Sequence, residues 1–158
     1  MPLLKARRSE RQRTESEALE MFSGTLFGHF GTTTEDGYPY VVPLNHVLEG
    51  TTLYMHSARG GQKIEGIERD SRACFEVSEM LELVPGEVPC RYAVSYRSAI
   101  CFGRARIVED GEEKMRALRA LSLKFAGKPG PFTAEDLERV CVIALDIEAA
   151  TCKARLTA

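Results

Sequence analysis

Two neighbouring segments hold the side chains best suited to chemistry, Asp36-Gly37-Tyr38-Pro39-Tyr40-Val41-Val42-Pro43-Leu44-Asn45 and Tyr54-Met55-His56-Ser57-Ala58-Arg59-Gly60-Gly61-Gln62-Lys63. In the second, a serine hydroxyl, a glycine-rich backbone that lets amides come close, and a lysine ammonium at the positive end of a helix dipole are together the parts of a phosphate site. An ordinary strand-to-helix turn with a surface lysine accounts for the same residues equally well, and there is no Walker or Rossmann pattern to add weight. In the first, Pro43 stands inside a β-prone run. It removes a ladder donor, so the strand is an edge, carries a bulge, or turns its backbone toward something other than a strand. A flat ring laid there could accept hydrogen bonds from the freed amides, although a bulged barrel strand is the commoner reason for such a proline.

His46 and His56 lie in successive strand-like runs, directed at one pocket or one core. Neither has a carboxylate partner at a telling spacing, and a lone strand histidine is more often packed than catalytic. Tyr96, Arg97 and Ser98 bring polar tips into a long β-prone run that a phosphate or a ring could use. Arg104 and Arg106 repeat at the strand period and fit a solvated face.

These residues need elements to hold them. Thr14 ahead of Glu15 and Glu17 predicts a capped helix to about Ser23. Strands follow over Leu26–Thr34, Tyr38–Leu48 and Thr52–Ser57. Asp36-Gly37 marks a two-residue hairpin and Glu49-Gly50-Thr51 the next turn, giving a meander. A short helix starts near Lys63 and ends near Asp70. Arg72–Val77 is a fourth strand, and Glu79–Pro89 reads as a loop with two prolines. Tyr92–Val108 is a long strand with a bend near Gly103. A helix over Glu112–Phe125 ends at Gly127–Pro131, Thr133 caps another, and Val140–Ile147 is a final buried strand. Without βαβ alternation, this order favours a small closed barrel over a doubly wound sheet.

Composition sets the bounds. The length of 158 residues and 44% apolar content suit one soluble domain, expected over 14–158 behind a basic arm at 1–13. That arm holds Lys5, Arg7, Arg8, Arg11 and Arg13 against Glu10 and has no aromatic to stack on a base, which favours a solvated tail over a nucleic-acid arm. The net charge of −2 offers no field for nucleic acid or anionic lipid. No run approaches membrane-spanning length, and the basic start has no apolar stretch behind it, so a cytoplasmic location is expected. Five cysteines without a C-x-x-C pair support neither a disulfide framework nor structural zinc. Cys74, Cys101 and Cys141 read as reduced core residues, and no metal site is expected.

Taken together, the D-G-Y-P-Y-V-V-P-L-N run, the Y-M-H-S-A-R-G-G-Q-K run and the later S-Y-R-S-A-I-C-F-G-R-A strand resemble the pyridoxamine 5′-phosphate oxidase-like flavoproteins, in the branch that includes the nitroimidazole-resistance proteins. The likeness covers roughly residues 10 to 150. It implies a mainly β fold, a split β-barrel of the FMN-binding type with short flanking helices, that forms a homodimer with the flavin at its interface. Carried over by residue, it implies that Val42, Pro43, Leu44 and Asn45 line the isoalloxazine, while His56, Ser57, Ala58 and Lys63 meet the ribityl chain and phosphate. Ser98 and Tyr96 would contribute from the long strand, across the dimer. His56 matches a histidine associated with the substrate site and is the one catalytic candidate. The implied activity is FMN-dependent reduction of a small molecule of the nitro-compound or quinone class, with NAD(P)H as a candidate donor. The other reading is a non-catalytic flavin- or haem-binding protein for storage or sensing, and a deazaflavin in place of FMN stays open. Two departures stand out. His46 occupies a place where such sequences often carry Tyr or Phe, and Thr151-Cys152-Lys153 stands where a Gly-Lys step is common.

Overall fold

The computed structural model describes residues 6–156; Lys5 of the basic arm lies outside them. Within the arm, Ser9–Arg11 form one 3-10 turn and β1 (Gln12–Arg13) pairs antiparallel with a strand near the other end of the chain. The second half of the arm is therefore docked on the sheet instead of forming the expected solvated tail. Gln12 carries this docking, since its amide donates to Thr151 Oγ1 and its carbonyl oxygen accepts from the Ala6 N–H at 2.8 Å.

Helix α1 (Glu15–Gly24) starts on a full capping box, in which the Thr14 hydroxyl accepts from the Glu17 N–H and the Glu17 carboxylate accepts from the Thr14 N–H. Strands β2 (Phe27–Thr33), β3 (Pro39–Glu49) and β4 (Thr52–Ser57) form the expected meander. The first turn differs by one residue. Thr34 pairs with Tyr38 and the Gly37 N–H returns to the Thr34 carbonyl, leaving a three-residue loop with Gly37 at φ +80°. A type I turn closed by a left-handed glycine matches strand twist as well as the two-residue form does. Helix α2 (Gln62–Arg69) follows, then β5 (Arg72–Val84) and β6 (Ala93–Ile107).

The expected loop over 79–84 is strand: β5 runs on beside β6 with a bulge between Met80 and Glu82. Its alternation was hidden because Met80, Leu81 and Leu83 stand exposed between acids, so neither face reads as buried. Helices α3 (Gly111–Ala126) and α4 (Ala134–Arg139) precede β7 (Cys141–Arg155). β7 passes well beyond Ile147 because Glu148 is taken up in a bulge, where β6 partners jump from Ile147 at Gly103 to Ala149 at Phe102. Gly103 is required there, since a Cβ would lie 1.9 Å from the Asp146 carbonyl oxygen.

The strands run β7-β4-β3-β2-β5-β6, and β6 pairs again with β7 to close an antiparallel barrel, with β1 added along the outer half of β7. Phe30, Leu53, Met55, Phe75, Ile143 and Leu145 fill the interior, with α1 packed on it through Ala18, Met21 and Phe22, and α2 through Ile64 and Ile67. A second apolar layer lies outside the barrel, where Ala117, Leu118 and Leu121 of α3 cover Tyr54, Val142 and Ala144. Among the described residues no helix is long and apolar enough to cross a membrane.

His46 belongs to the interior. It pairs with Met55, is fully buried and meets the Phe75 ring edge-on at 4.8 Å. Its Nε2 donates to the Phe22 carbonyl at 2.8 Å, at the end of α1, and Lys124 Nζ of α3 donates to the same oxygen at 3.2 Å. Nδ1 is buried without a hydrogen-bond partner among the described residues. Burial, aided by the Lys124 charge, pushes the imidazole from its ordinary 6.5 to about 4. The unfolded chain therefore takes up this proton first as pH falls, and stability is lost through the window from 6.5 down to about 4, being complete above it. Urea unfolding should show a loss of about 2 kcal/mol between pH 7 and pH 5 from this group. His46→Phe should flatten that slope, and an unchanged slope would show that the ring is not buried in its neutral form.

Candidate functional site

The meander divides at its centre. β3 pairs with β2 from Pro39 to Asn45, but with β4 only from His46 to Glu49. Beyond Met55, β4 carries on beside β7 alone, with His56 opposite Val142 and Ser57 opposite Cys141. The stretch of β3 that holds Pro43 thus has one strand partner, which is where a missing amide costs least. Residue parity then sorts the predicted side chains. Val42 and Leu44 pack against the interior, whereas Val41, Pro43 and Asn45 stand exposed on the outer face. Val42 and Leu44 can therefore offer a ligand at this edge only their backbone. His46 and His56 do not share a pocket, because one faces the barrel interior and the other the outside.

A cleft of about 730 Å³ opens on that outer face. Asn45, His56 and Ser57 form its floor, and its wall comes from Leu118, Leu121 and Phe125 of α3, Phe132 of the connecting loop, and Asp136 and Arg139 of α4. Three of the sequence candidates are brought together here. His56 is exposed, and the described residues give its ring no hydrogen-bond partner. Asn45 Nδ2 donates to the Leu26 carbonyl at 3.4 Å, and Ser57 Oγ to the Ala58 carbonyl at 2.7 Å. The wall residues were legible as helix but not as neighbours of His56. The only signal was the breaker at Gly127–Pro131, which folds α4 back near α3.

The chain leaves Ser57 through Ala58 and Arg59 into the start of α2. Gly61 caps that helix at φ +101°, a conformation that favours glycine, and no side chain caps it. Its carbonyl accepts from the N–H groups of Ile64 and Glu65. The Gln62 and Lys63 amides have no acceptor within the helix and point out of its positive end. Burial raises the Cys141 thiol, while Lys114, Arg59 and Lys63 act in the opposite direction against one acid, Glu109, so three cations and one carboxylate bear on the strand end that pairs with Ser57. That is an anion-attracting corner beside the His56 cleft. Tyr96 and Ser98 lie elsewhere on the outer face, opposite Arg155 and Lys153 of β7, and do not line this cleft.

The wall is held by charge. Glu113 of α3 accepts from Arg106 Nη2 at 2.7 Å and from the Tyr54 hydroxyl at 2.7 Å, and Arg116 donates to the same hydroxyl at 3.2 Å. Arg106 also holds Asp146 on β7 at 3.1 Å. Those bonds keep the Glu113 carboxyl down at about 2. Among the described residues no group of His, Cys, Asp and Glu is placed to hold a metal ion.

A family model described as pyridoxamine 5′-phosphate oxidase matches residues 14–154. No curated protein matches at a significant level. Among solved structures, a candidate 5-nitroimidazole antibiotic resistance protein from Bacteroides thetaiotaomicron is 29% identical with a TM-score of 0.81, over 90% of this chain and 84% of that one. The flavocytochrome Anf3 from Azotobacter vinelandii is 25% identical with a TM-score of 0.83, over 97% and 73%. An FAD- and haem-binding protein from Mycobacterium smegmatis, 19% identical with a TM-score of 0.82 over 93% and 74%, shares the fold.

Glu113→Ala should loosen α3 from the barrel. Three hydrogen bonds to one carboxylate are lost, and the expected cost is about 1.5–3 kcal/mol in urea unfolding. A change within a few tenths of a kcal/mol would show that the apolar layer alone holds the wall.

Proposed function

The chain belongs to the pyridoxamine 5′-phosphate oxidase family, and from that premise we propose that it is an FMN-dependent oxidoreductase acting on a small molecule of the nitro-compound or quinone class. The observation that carries this reading is the pairing of an open helix start at Gly61–Lys63 with a cleft floored by Asn45, His56 and Ser57. A phosphate suits the unsatisfied amides and the nearby cations of Arg59 and Lys63, and a planar ring suits the single-partnered edge of β3 between Val42 and Asn45. Ser57 and Ala58 would line the ribityl path between the two. The flavin, when bound, supplies the hydride or electron chemistry, and the chain supplies binding, orientation and electrostatics.

His56 would act over the ring. Its exposed imidazole has no hydrogen-bond partner among the described residues, so it is free to position or protonate a substrate entering under the apolar wall of Phe125 and Phe132. NAD(P)H is the proposed donor. A homodimer is proposed as well, because Leu26, Phe27, Val41 and Pro43 leave an exposed apolar surface beside Asn45 that a second copy could cover. Ser98 and Tyr96 would then approach the flavin from the partner, since within one chain they stand apart from the cleft.

A second reading, storage or sensing of a flavin or haem without turnover, is favoured by one feature: among the described residues no carboxylate is bonded to His56, and the Asp136 that shares its cleft accepts from Thr133. Anaerobic mixing of the flavin-loaded protein with NADH or NADPH separates the two, since bleaching of the flavin followed by reoxidation with a nitroaromatic supports turnover. Lys63→Ala should weaken FMN binding by about tenfold or more, as expected on losing a hydrogen bond to a charged group, and unchanged affinity in a fluorescence titration would remove Lys63 from the site. His56→Ala should keep its melting temperature, the ring being exposed, and retain most FMN while slowing reoxidation. A large fall in melting temperature with unaltered flavin kinetics would make His56 a structural residue.

A further inference from the structure

A second cleft, of about 340 Å³, lies between the docked N-terminal segment and the far end of β7, and we propose that it is a binding site for a phosphate-type anion. Its lining is almost wholly cationic: Arg7, Arg8 and Arg11 from the segment, Lys153 and Arg155 from β7, with Tyr96 of β6 between them. It shares no lining residue with the His56 cleft, so the inference does not rest on the flavin reading.

The distribution of charge makes this more than a solvated patch. Among the described residues, eight of the fifteen arginines hold a carboxylate within salt-bridge distance. Of the seven that do not, four line this one cleft, and Lys153 beside them is also without an ion pair among the described residues. The only acid between residues 6 and 13 is Glu10. Like charges gathered without counter-ions repel one another, and an anion bound among them removes that repulsion.

The cations are also held in place. Gln12 ties the segment down through Thr151 and the Ala6 amide, and β1 pairs with Lys153 and Cys152, so Arg7, Arg8 and Arg11 are carried on a docked turn and not on a free tail. Across β6 and β7, Tyr96 stands opposite Arg155 and Ser98 opposite Lys153, so two hydroxyls share the outer face with two cations. Guanidinium forks, a lysine ammonium and the Tyr96 hydroxyl around a small cavity are a donor set that recognises a phosphate oxygen cluster. The phosphate could come from a flavin held by a second copy of the chain or from a separate phosphoester. Both present the same chemistry to these residues.

Calorimetric titration with inorganic pyrophosphate at low ionic strength tests the site directly. With the Gly61–Lys63 corner disabled by Lys63→Ala in every protein compared, the flavin-free parent should show saturable binding, and Arg8→Gln/Arg155→Gln should weaken it by about tenfold or more. Arg119→Gln, an exposed arginine without an ion pair on α3, should leave it unchanged. Because the substituted side chains are exposed and crowded by like charge, the double variant should melt no lower than the parent in anion-free buffer. Repeating the titration on FMN-saturated protein separates the sources: loss of pyrophosphate binding assigns the cleft to a flavin phosphate, and its persistence assigns a separate ligand. Failure to bind FMN would leave the flavin-free titration intact as the test. Non-saturable binding, or equal affinity in parent and double variant, would overturn the proposal.

Discussion

The structure turns on the point where β3 leaves β4. From His46 to Glu49 the two strands are paired, and from Asn45 back to Pro39 β3 keeps only β2. A barrel closed without interruption would bury every backbone group in its ladders and offer a ligand only side chains. Here one strand edge is released over the residues that include Pro43, while β4 goes on to its own partner, β7. The opening created by that divergence is floored by Asn45, His56 and Ser57, and the chain that emerges from β4 turns directly into the uncapped start of α2. The single-partnered edge of β3 and the open start of α2 thus both follow from one parting of strands.

Closure elsewhere makes the divergence affordable. The long β6–β7 ladder completes the ring, and the bulge at Glu148, made possible by the absent side chain at Gly103, lets β7 serve β4 along one half and β1 along the other. The interior is sealed by α1 and α2, and the Phe22 carbonyl collects His46 and Lys124 where α1, β3 and α3 meet. Outside, α3 is fixed by an apolar layer and by Glu113, so the helical wall over His56 is held on the opposite side of the sheet from the core that stabilises the barrel.

Much of this was legible in the sequence where the signal is local. Thr14 with Glu17 and Thr133 with Asp136 are capping boxes in the structure as in the pattern, and Gly37 takes the positive φ that Asp36-Gly37 suggests, one residue later in the loop than expected. The misread segments are those in which a distant partner decides. Residues 79–84 are strand because β6 lies beside them, although their own alternation marks no buried face. β7 continues past Ile147 because a bulge absorbs Glu148. The docking of the basic arm rests on Gln12 reaching Thr151, a contact across nearly the whole chain that no spacing could reveal. For the site, the family resemblance named residues along β3 and β4 but not which of them face the cleft. The interior position of His46 and the placement of α3 over His56 are both tertiary facts.

Retention of flavin after gel filtration of protein incubated with excess FMN tests the account most directly. The parting of β3 from β4 and the open start of α2 predict that FMN coelutes stoichiometrically with the protein, at the volume of a dimer. Elution of colourless protein, with all of the FMN in the small-molecule fraction and FAD faring no better, would contradict the account at its centre.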